Sequence, residues 1–164
     1  MATPVISFAA YSGSGKTTYL TSLIPCLKDL GLRIAVIKHD GHDFQMDRPG
    51  TDTHRLAAAG ADTVAIVSQK KFALIQHSPP SIEDIAARIQ DVDLILTEGF
   101  KHGPFPKIAL YRQASGQPLA VPADACLAIV SDVPLDAPCP VFPLDAPKPM
   151  AVFLREQLMQ KKGD

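Results

Sequence analysis

The sequence predicts an α/β fold of the three-layer P-loop NTPase kind, with a mainly parallel sheet and added β-hairpins. Three observations predict it. Short apolar runs alternate with helical patterns along the chain, as in parallel sheets with crossover helices. These runs are continuous, as strands buried on both faces require. The first of them ends in a Gly/Ser loop that opens a helix.

Taken in order, residues 5–9 form the first buried strand. The helix after the loop places Leu20, Leu23, Ile24, Leu27 and Leu30 at helical spacing, and Gly31 stops it. Pro25 removes one backbone bond and should kink this helix. Residues 34–37 are a second buried strand, followed by a polar loop over 38–52. A short helical piece at 56–59 ends at Gly60. Residues 63–67 and 72–75 read as a hairpin. Ser81-Ile-Glu-Asp84 resembles a capping box, with Ile82, Ile85, Ala86 and Ile89 as the buried stripe. Residues 93–96 are a third buried strand. Residues 107–112 and 119–121 read as a second hairpin around Ser115-Gly116. Residues 126–130 are another buried strand. The proline-rich stretch 134–149 is too broken for long elements, and 150–159 is a final amphipathic helix.

The chain has 164 residues, which favours one domain over 1–164. Its formal net charge of −1 argues against a nucleic acid held by bulk electrostatics. Cys26, Cys126 and Cys139 show no paired spacing and read as small buried side chains in a reducing compartment. No apolar stretch reaches membrane length and no leader pattern is seen, so the expectation is a cytoplasmic protein.

Ala10-Tyr-Ser-Gly-Ser-Gly15-Lys16-Thr17 fits the phosphate-loop pattern, with Ala in place of the first Gly. Ser12, Gly13, Ser14 and Gly15 would turn consecutive N–H groups toward one anion, and the helix N-terminus adds positive charge. Lys16 would reach the β- and γ-phosphates, the Thr17 hydroxyl would ligate Mg²⁺, and Thr18 would bond the α-phosphate. The expected ligand is a purine nucleoside triphosphate with Mg²⁺.

A Mg²⁺-triphosphate site needs carboxylates at neighbouring strand ends. Leu94-Ile-Leu-Thr-Glu98-Gly99 is an apolar strand ending in an acid, so Glu98 would hold Mg²⁺ or orient the attacking water. Asp40 follows the second strand and is a further metal candidate; its alternative role is a turn cap. His39-Asp-Gly-His42-Asp43 has the residue types of a transition-metal site. A solvated switch loop is the favoured reading, because no cysteine stands nearby to complete the set.

The chain resembles the MobB family of molybdopterin-guanine dinucleotide biosynthesis adapter proteins. The resemblance is carried by Tyr11-Ser-Gly-Ser-Gly-Lys-Thr-Thr18, Ile37-Lys-His-Asp40, Asp47-Arg-Pro-Gly-Thr-Asp52, Ala58-Ala-Gly-Ala61, Thr97-Glu-Gly-Phe-Lys-His102 and Val130-Ser-Asp-Val-Pro134. One departure is Gly50-Thr-Asp-Thr53, where the family usually has Gly-Lys-Asp-Ser. The resemblance implies GTP as ligand, a slow GTPase, a homodimer, and a partner nucleotidyltransferase that attaches GMP to molybdopterin. Molybdopterin itself is a further candidate ligand. Asp132 follows the strand where related GTPases place their base-reading loop, and a carboxylate there can accept from guanine N1 and N2. Asp40, Asp52 and Glu98 would couple Mg²⁺ and the γ-phosphate to the loop over 38–53.

Two other functions fit a P-loop chain of this size. A small-molecule kinase needs an arginine-bearing lid, but Arg33, Arg48, Arg55, Arg88, Arg112 and Arg155 are scattered. A GTP-dependent metallochaperone would use His39 and His42.

Overall fold

The computed structural model describes residues 3–78 and 80–160. The chain folds as two compact units: the first takes in Met1–His39 and Ala86–Asp164, the second Asp40–Ile85.

The first unit is built on a six-stranded, all-parallel sheet. Its strands are β1 (Val5–Ala9), β2 (Ile34–Lys38), then β5 (Leu94–Glu98), β6 (Lys107–Tyr111), β7 (Cys126–Ser131) and β8 (Val141–Pro143), ordered β2-β5-β1-β6-β7-β8. The helices of this unit are α1 (Lys16–Asp29) and α4 (Pro147–Gln160). They pack on one face, where Phe8, Leu96, Ile108 and Val130 meet Leu23, Leu27 and Leu154. The alternate strand residues Ala9, Ala109 and Ile129 face the other way, onto a cluster with Val121, Leu119, Leu135 and Val141. Over β1, β6 and β7 this layer is irregular chain rather than helix. The same face carries a buried polar pair, in which the Thr97 hydroxyl bonds the Ser7 hydroxyl at 2.7 Å, so neither goes unsatisfied.

The second hairpin expected at 107–112 and 119–121 does not form. β6 pairs in parallel with β1 on one side and β7 on the other, so it has no free edge to offer. Residues 112–125 instead run as loop with two short 3-10 turns, and Leu119 and Val121 are apolar because they cover the sheet. β8 was not foreseen; it is a three-residue edge strand ending on Pro143, where a missing N–H is tolerated. α4 starts at Pro147 rather than at 150, because prolines in a first helical turn lose only N–H groups that lack helical partners anyway. α1 continues through Pro25, which lies on its exposed side, where water can pair the carbonyl that loses its donor. Cys126 is buried as expected, while Cys26 and Cys139 are half-buried, and all three are free.

The second unit holds α2 (Asp52–Ala58) and the antiparallel hairpin of β3 (Thr63–Val67) and β4 (Phe72–Gln76). α2 begins earlier than expected because Thr51 caps it, accepting from the His54 N–H. Asp47 organises that start. It accepts from the Thr51 hydroxyl at 2.8 Å and the Arg48 N–H at 2.9 Å, and hydrogen bonds from Thr53 and Thr51 lower its proton affinity. The remaining helix, α3 (Ile82–Arg88), begins in this unit and starts on the foreseen cap. Ser81 bonds the Asp84 N–H and carboxylate, although its apolar stripe is only half-buried. Among the described residues no helix is long and apolar enough to cross a membrane.

Candidate phosphate site

The parallel sheet delivers the ends of β1, β5, β6 and β7 to one edge, the general place for ligands in open α/β sheets. The loop after β1 turns sharply there. Gly13 and Gly15 adopt φ of 78° and 88°, a region that side chains resist, which explains glycine at both positions. Ser14 is buried and its hydroxyl bonds the Tyr11 carbonyl at 2.9 Å, tightening the turn. Gly15 precedes α1 without a side-chain cap, and the first turn holds no acid. The N–H groups of that turn therefore face outward as an uncompensated positive end.

Lys16 Nζ donates to the Ala10 and Tyr11 carbonyls, both at 2.9 Å, so the ammonium lies across the loop. Burial lowers its proton affinity, the Glu98 carboxylate raises it and Lys38 lowers it again. A further cation stands close by, with Lys101 Nζ 5.0 Å from the centre of the Tyr11 ring.

Thr17 Oγ1 donates to Glu98 Oε1 at 2.6 Å, joining the helix start to the end of β5. Glu98 is 9% exposed, held between Phe8 and Lys38 in the sheet register. A hydroxyl and a carboxylate at this spacing are hard oxygen donors, the set that suits Mg²⁺. The sequence thus names the two side chains that the fold brings together. Ser12 and Thr18 are exposed at the loop and on the first turn of α1.

Asp40 begins the second unit and caps a turn, accepting from the His42 N–H at 3.3 Å. Asp52 opens α2 and pairs with Arg55 at 3.8 Å. The His39 ring packs on Phe100 with centroids 4.6 Å apart. Among the described residues no group of three or more His, Cys, Asp or Glu side chains is arranged to hold a metal.

Beside the loop lies an open cleft of about 710 Å³, bordered by Ser14, Gly15 and Thr18 and, across from them, by Arg112, Asp132 and Pro143. Asp132 is exposed, and its Oδ1 accepts from the Gln113 N–H at 2.8 Å, which fixes the carboxylate and leaves Oδ2 open. Tyr19 borders the same cleft; its buried hydroxyl has no hydrogen-bond partner among the described residues, and burial raises its proton affinity. Arg112 is the residue that sequence reasoning missed. Its closeness to the phosphate loop comes from β6 lying beside β1, a long-range pairing that leaves no local pattern.

The family described as "Molybdopterin guanine dinucleotide synthesis protein B", MobB, matches residues 5–132. Over 98% of this chain and 96% of the relative, it is 38% identical to the molybdopterin-guanine dinucleotide biosynthesis adapter protein of Escherichia coli (strain K12). The corresponding adapter protein of Haemophilus influenzae is 35% identical, over 98% of this chain and 92% of its own length. The crystal structure of Bacillus subtilis MobB superposes with a TM-score of 0.74 at 27% identity, over 94% of this chain and 97% of that one. A crystal structure of molybdopterin-guanine biosynthesis protein B gives 0.72 at 27% identity, over 93% and 99%.

Proposed function

Because the chain belongs to the MobB family, we propose that it is a GTP-binding adapter of molybdopterin guanine dinucleotide biosynthesis, assisting the nucleotidyltransferase that attaches GMP to molybdopterin. The observation that carries the nucleotide part is the Thr17–Glu98 bond of 2.6 Å beside an uncapped helix start and Lys16. When bound, Mg²⁺ would neutralise phosphate charge, with Thr17 and Glu98 as its protein ligands. Lys16 and the first-turn N–H groups bind the phosphates. Asp132 faces the same cleft and reads the base.

The function is tested by following GMP attachment to molybdopterin by the partner enzyme at limiting GTP. Attachment should rise when this protein is added. No rise would overturn the adapter reading, and attachment without the partner would make the chain the enzyme. Alone, the protein should hydrolyse GTP slowly, on the order of 10⁻⁴ to 10⁻² per second, as phosphate cages without an arginine at the γ-phosphate do. Many turnovers per second would refute this.

Guanine selectivity should rest on Asp132. Guanine presents donors at N1 and N2, whereas adenine would leave the carboxylate unpaired. Asp132→Ala should cut the preference for GTP over ATP by about tenfold or more, as loss of a hydrogen bond to a charged group implies. Competition binding with both nucleotides reads this, and unchanged selectivity would move the reader elsewhere.

A homodimer is part of the proposal. In the β3–β4 register, Val67 stands opposite Phe72 and Ala65 opposite Leu74, so these four share one face. Val67 is 80% and Phe72 75% exposed, an apolar strip that a second copy would cover. Phe72→Asp should shift sedimentation equilibrium from dimer toward monomer. A wild-type monomer at micromolar concentration would refute the dimer.

A further inference from the structure

We infer that Arg112 is a second phosphate-binding cation, holding the α-phosphate end of the bound nucleotide; this rests on the nucleotide reading above. Arg112 directly follows β6, and Ala109 of that strand lies beside Ala9 of β1, so both strands send their next residues to the same edge. Nη1 of Arg112 is 3.9 Å from the point a Cβ on Gly15 would occupy, within contact of the phosphate loop.

Nothing in the described fold uses this guanidinium. Among the described residues it takes part in neither the Arg33–Asp93 nor the Arg55–Asp52 ion pair, and its guanidinium makes no side-chain hydrogen bond. Asp132 and Asp145 border the same cleft without pairing with it. Asp132 instead bonds the N–H of Gln113, the next residue, and so anchors the backbone that carries Arg112.

The result is a convergence of donors without an acceptor. A guanidinium with five N–H groups points toward a helix start that carries about half a positive charge. The first turn of that helix has neither a side-chain cap nor an acid. Two positive ends repel, weakly in the exposed position of Arg112, and an anion between them turns that repulsion into attraction. A planar fork suits phosphate oxygens in pairs.

Position decides which phosphate. Arg112 shares its cleft with Gly15, Thr18 and Asp132, whereas Lys16, Thr17 and Glu98 do not border it. The Thr17–Glu98 pair marks the metal and outer-phosphate side, so Arg112 stands on the nucleoside side.

The test is calorimetric titration of wild type, Arg112→Ala and Arg112→Lys with GTP and with GDP, each with Mg²⁺. Arg112→Ala should lose about tenfold or more in affinity, by the same factor for both nucleotides. Arg112→Lys should recover part, because a point charge lacks the fork. The nucleotide-free melting temperature should not move. Wild-type affinity in Arg112→Ala would overturn the inference, as would loss of GTP with GDP retained, which would put the contact on the γ-phosphate. A wild type that binds neither nucleotide would sink the nucleotide reading itself, an outcome distinct from either.

Discussion

Lys16→Ala should remove GTP binding while leaving the fold intact. Lys16 is the cation that the phosphate loop places at its centre, its Nζ bonded at 2.9 Å to both the Ala10 and Tyr11 carbonyls. A bound triphosphate would replace those neutral acceptors with charged oxygens. Charge-assisted bonds contribute on the order of 1.5–3 kcal/mol each, and the ammonium can reach two phosphates. The expected loss is therefore about a hundredfold or more in affinity. The fold should tolerate the change, since the freed carbonyls lie in a half-exposed loop where water can bond them.

Two measurements separate the effects. Titration calorimetry with a GTP analogue and Mg²⁺ reads affinity directly, and a variant within about twofold of wild type would refute the assignment of Lys16. Thermal melting reads the same linkage. At about 100 times the dissociation constant, nucleotide should stabilise wild type by about 2.7 kcal/mol, a shift of about 5–10 °C for a chain this long. The variant should melt near the wild-type temperature without nucleotide and show no such shift with it.

The sharp turn between β1 and α1 was legible because it is contiguous: Gly13, Gly15, Lys16 and Thr17 follow one another within a few residues. The central strands were legible because burial on both faces demands unbroken apolar runs such as Leu94-Ile-Leu. Glu98 could be placed because it ends such a run. The second hairpin failed for a physical reason. Leu119 and Val121 have the apolar spacing of a strand, but they obtain it by covering Ala9, Ala109 and Ile129 from outside the sheet. Pattern reports burial and does not say which element does the burying. β8 was hidden by its brevity and its prolines, although Ile129 and Val130 need a neighbour on that side. Arg112 was hidden more deeply. An arginine after a strand carries no signal until the strand's neighbours are known, and the order β1-β6-β7 is a property of the whole sheet.

Gly99→Val should unfold the site and weaken the protein as a whole, for reasons that lie in the backbone after Glu98. Gly99 has φ of 101°, a conformation that costs a side-chain-bearing residue about 1–3 kcal/mol. There is also no room for one. A Cβ would stand 3.1 Å from the His39 Cβ and 3.4 Å from the His39 carbonyl oxygen. The segment cannot shift freely to make space, because the Gly99 N–H bonds the Phe8 carbonyl at 3.2 Å and the His39 N–H bonds the Glu98 carbonyl at 2.9 Å. Phe100 follows with φ of 53°, its ring tilted at 48° against His39 with centroids 4.6 Å apart, so two positive-φ residues follow one another where β5 ends. Crowding of this kind adds about 1–3 kcal/mol. The expected total is about 2–6 kcal/mol, a large share of the 5–15 kcal/mol typical of a domain. Urea unfolding would read it as a lower midpoint. Gly41→Val is the control, since a Cβ there meets nothing within 4 Å, and it should stay within about 0.5 kcal/mol of wild type. Relief of the Gly99 clash would drag Glu98 from the Thr17 hydroxyl, so any folded fraction of Gly99→Val should bind Mg²⁺-GTP less well than wild type. If Gly99→Val unfolds within about 1 kcal/mol of wild type, the backbone after β5 is not the rigid mount for Glu98 described above.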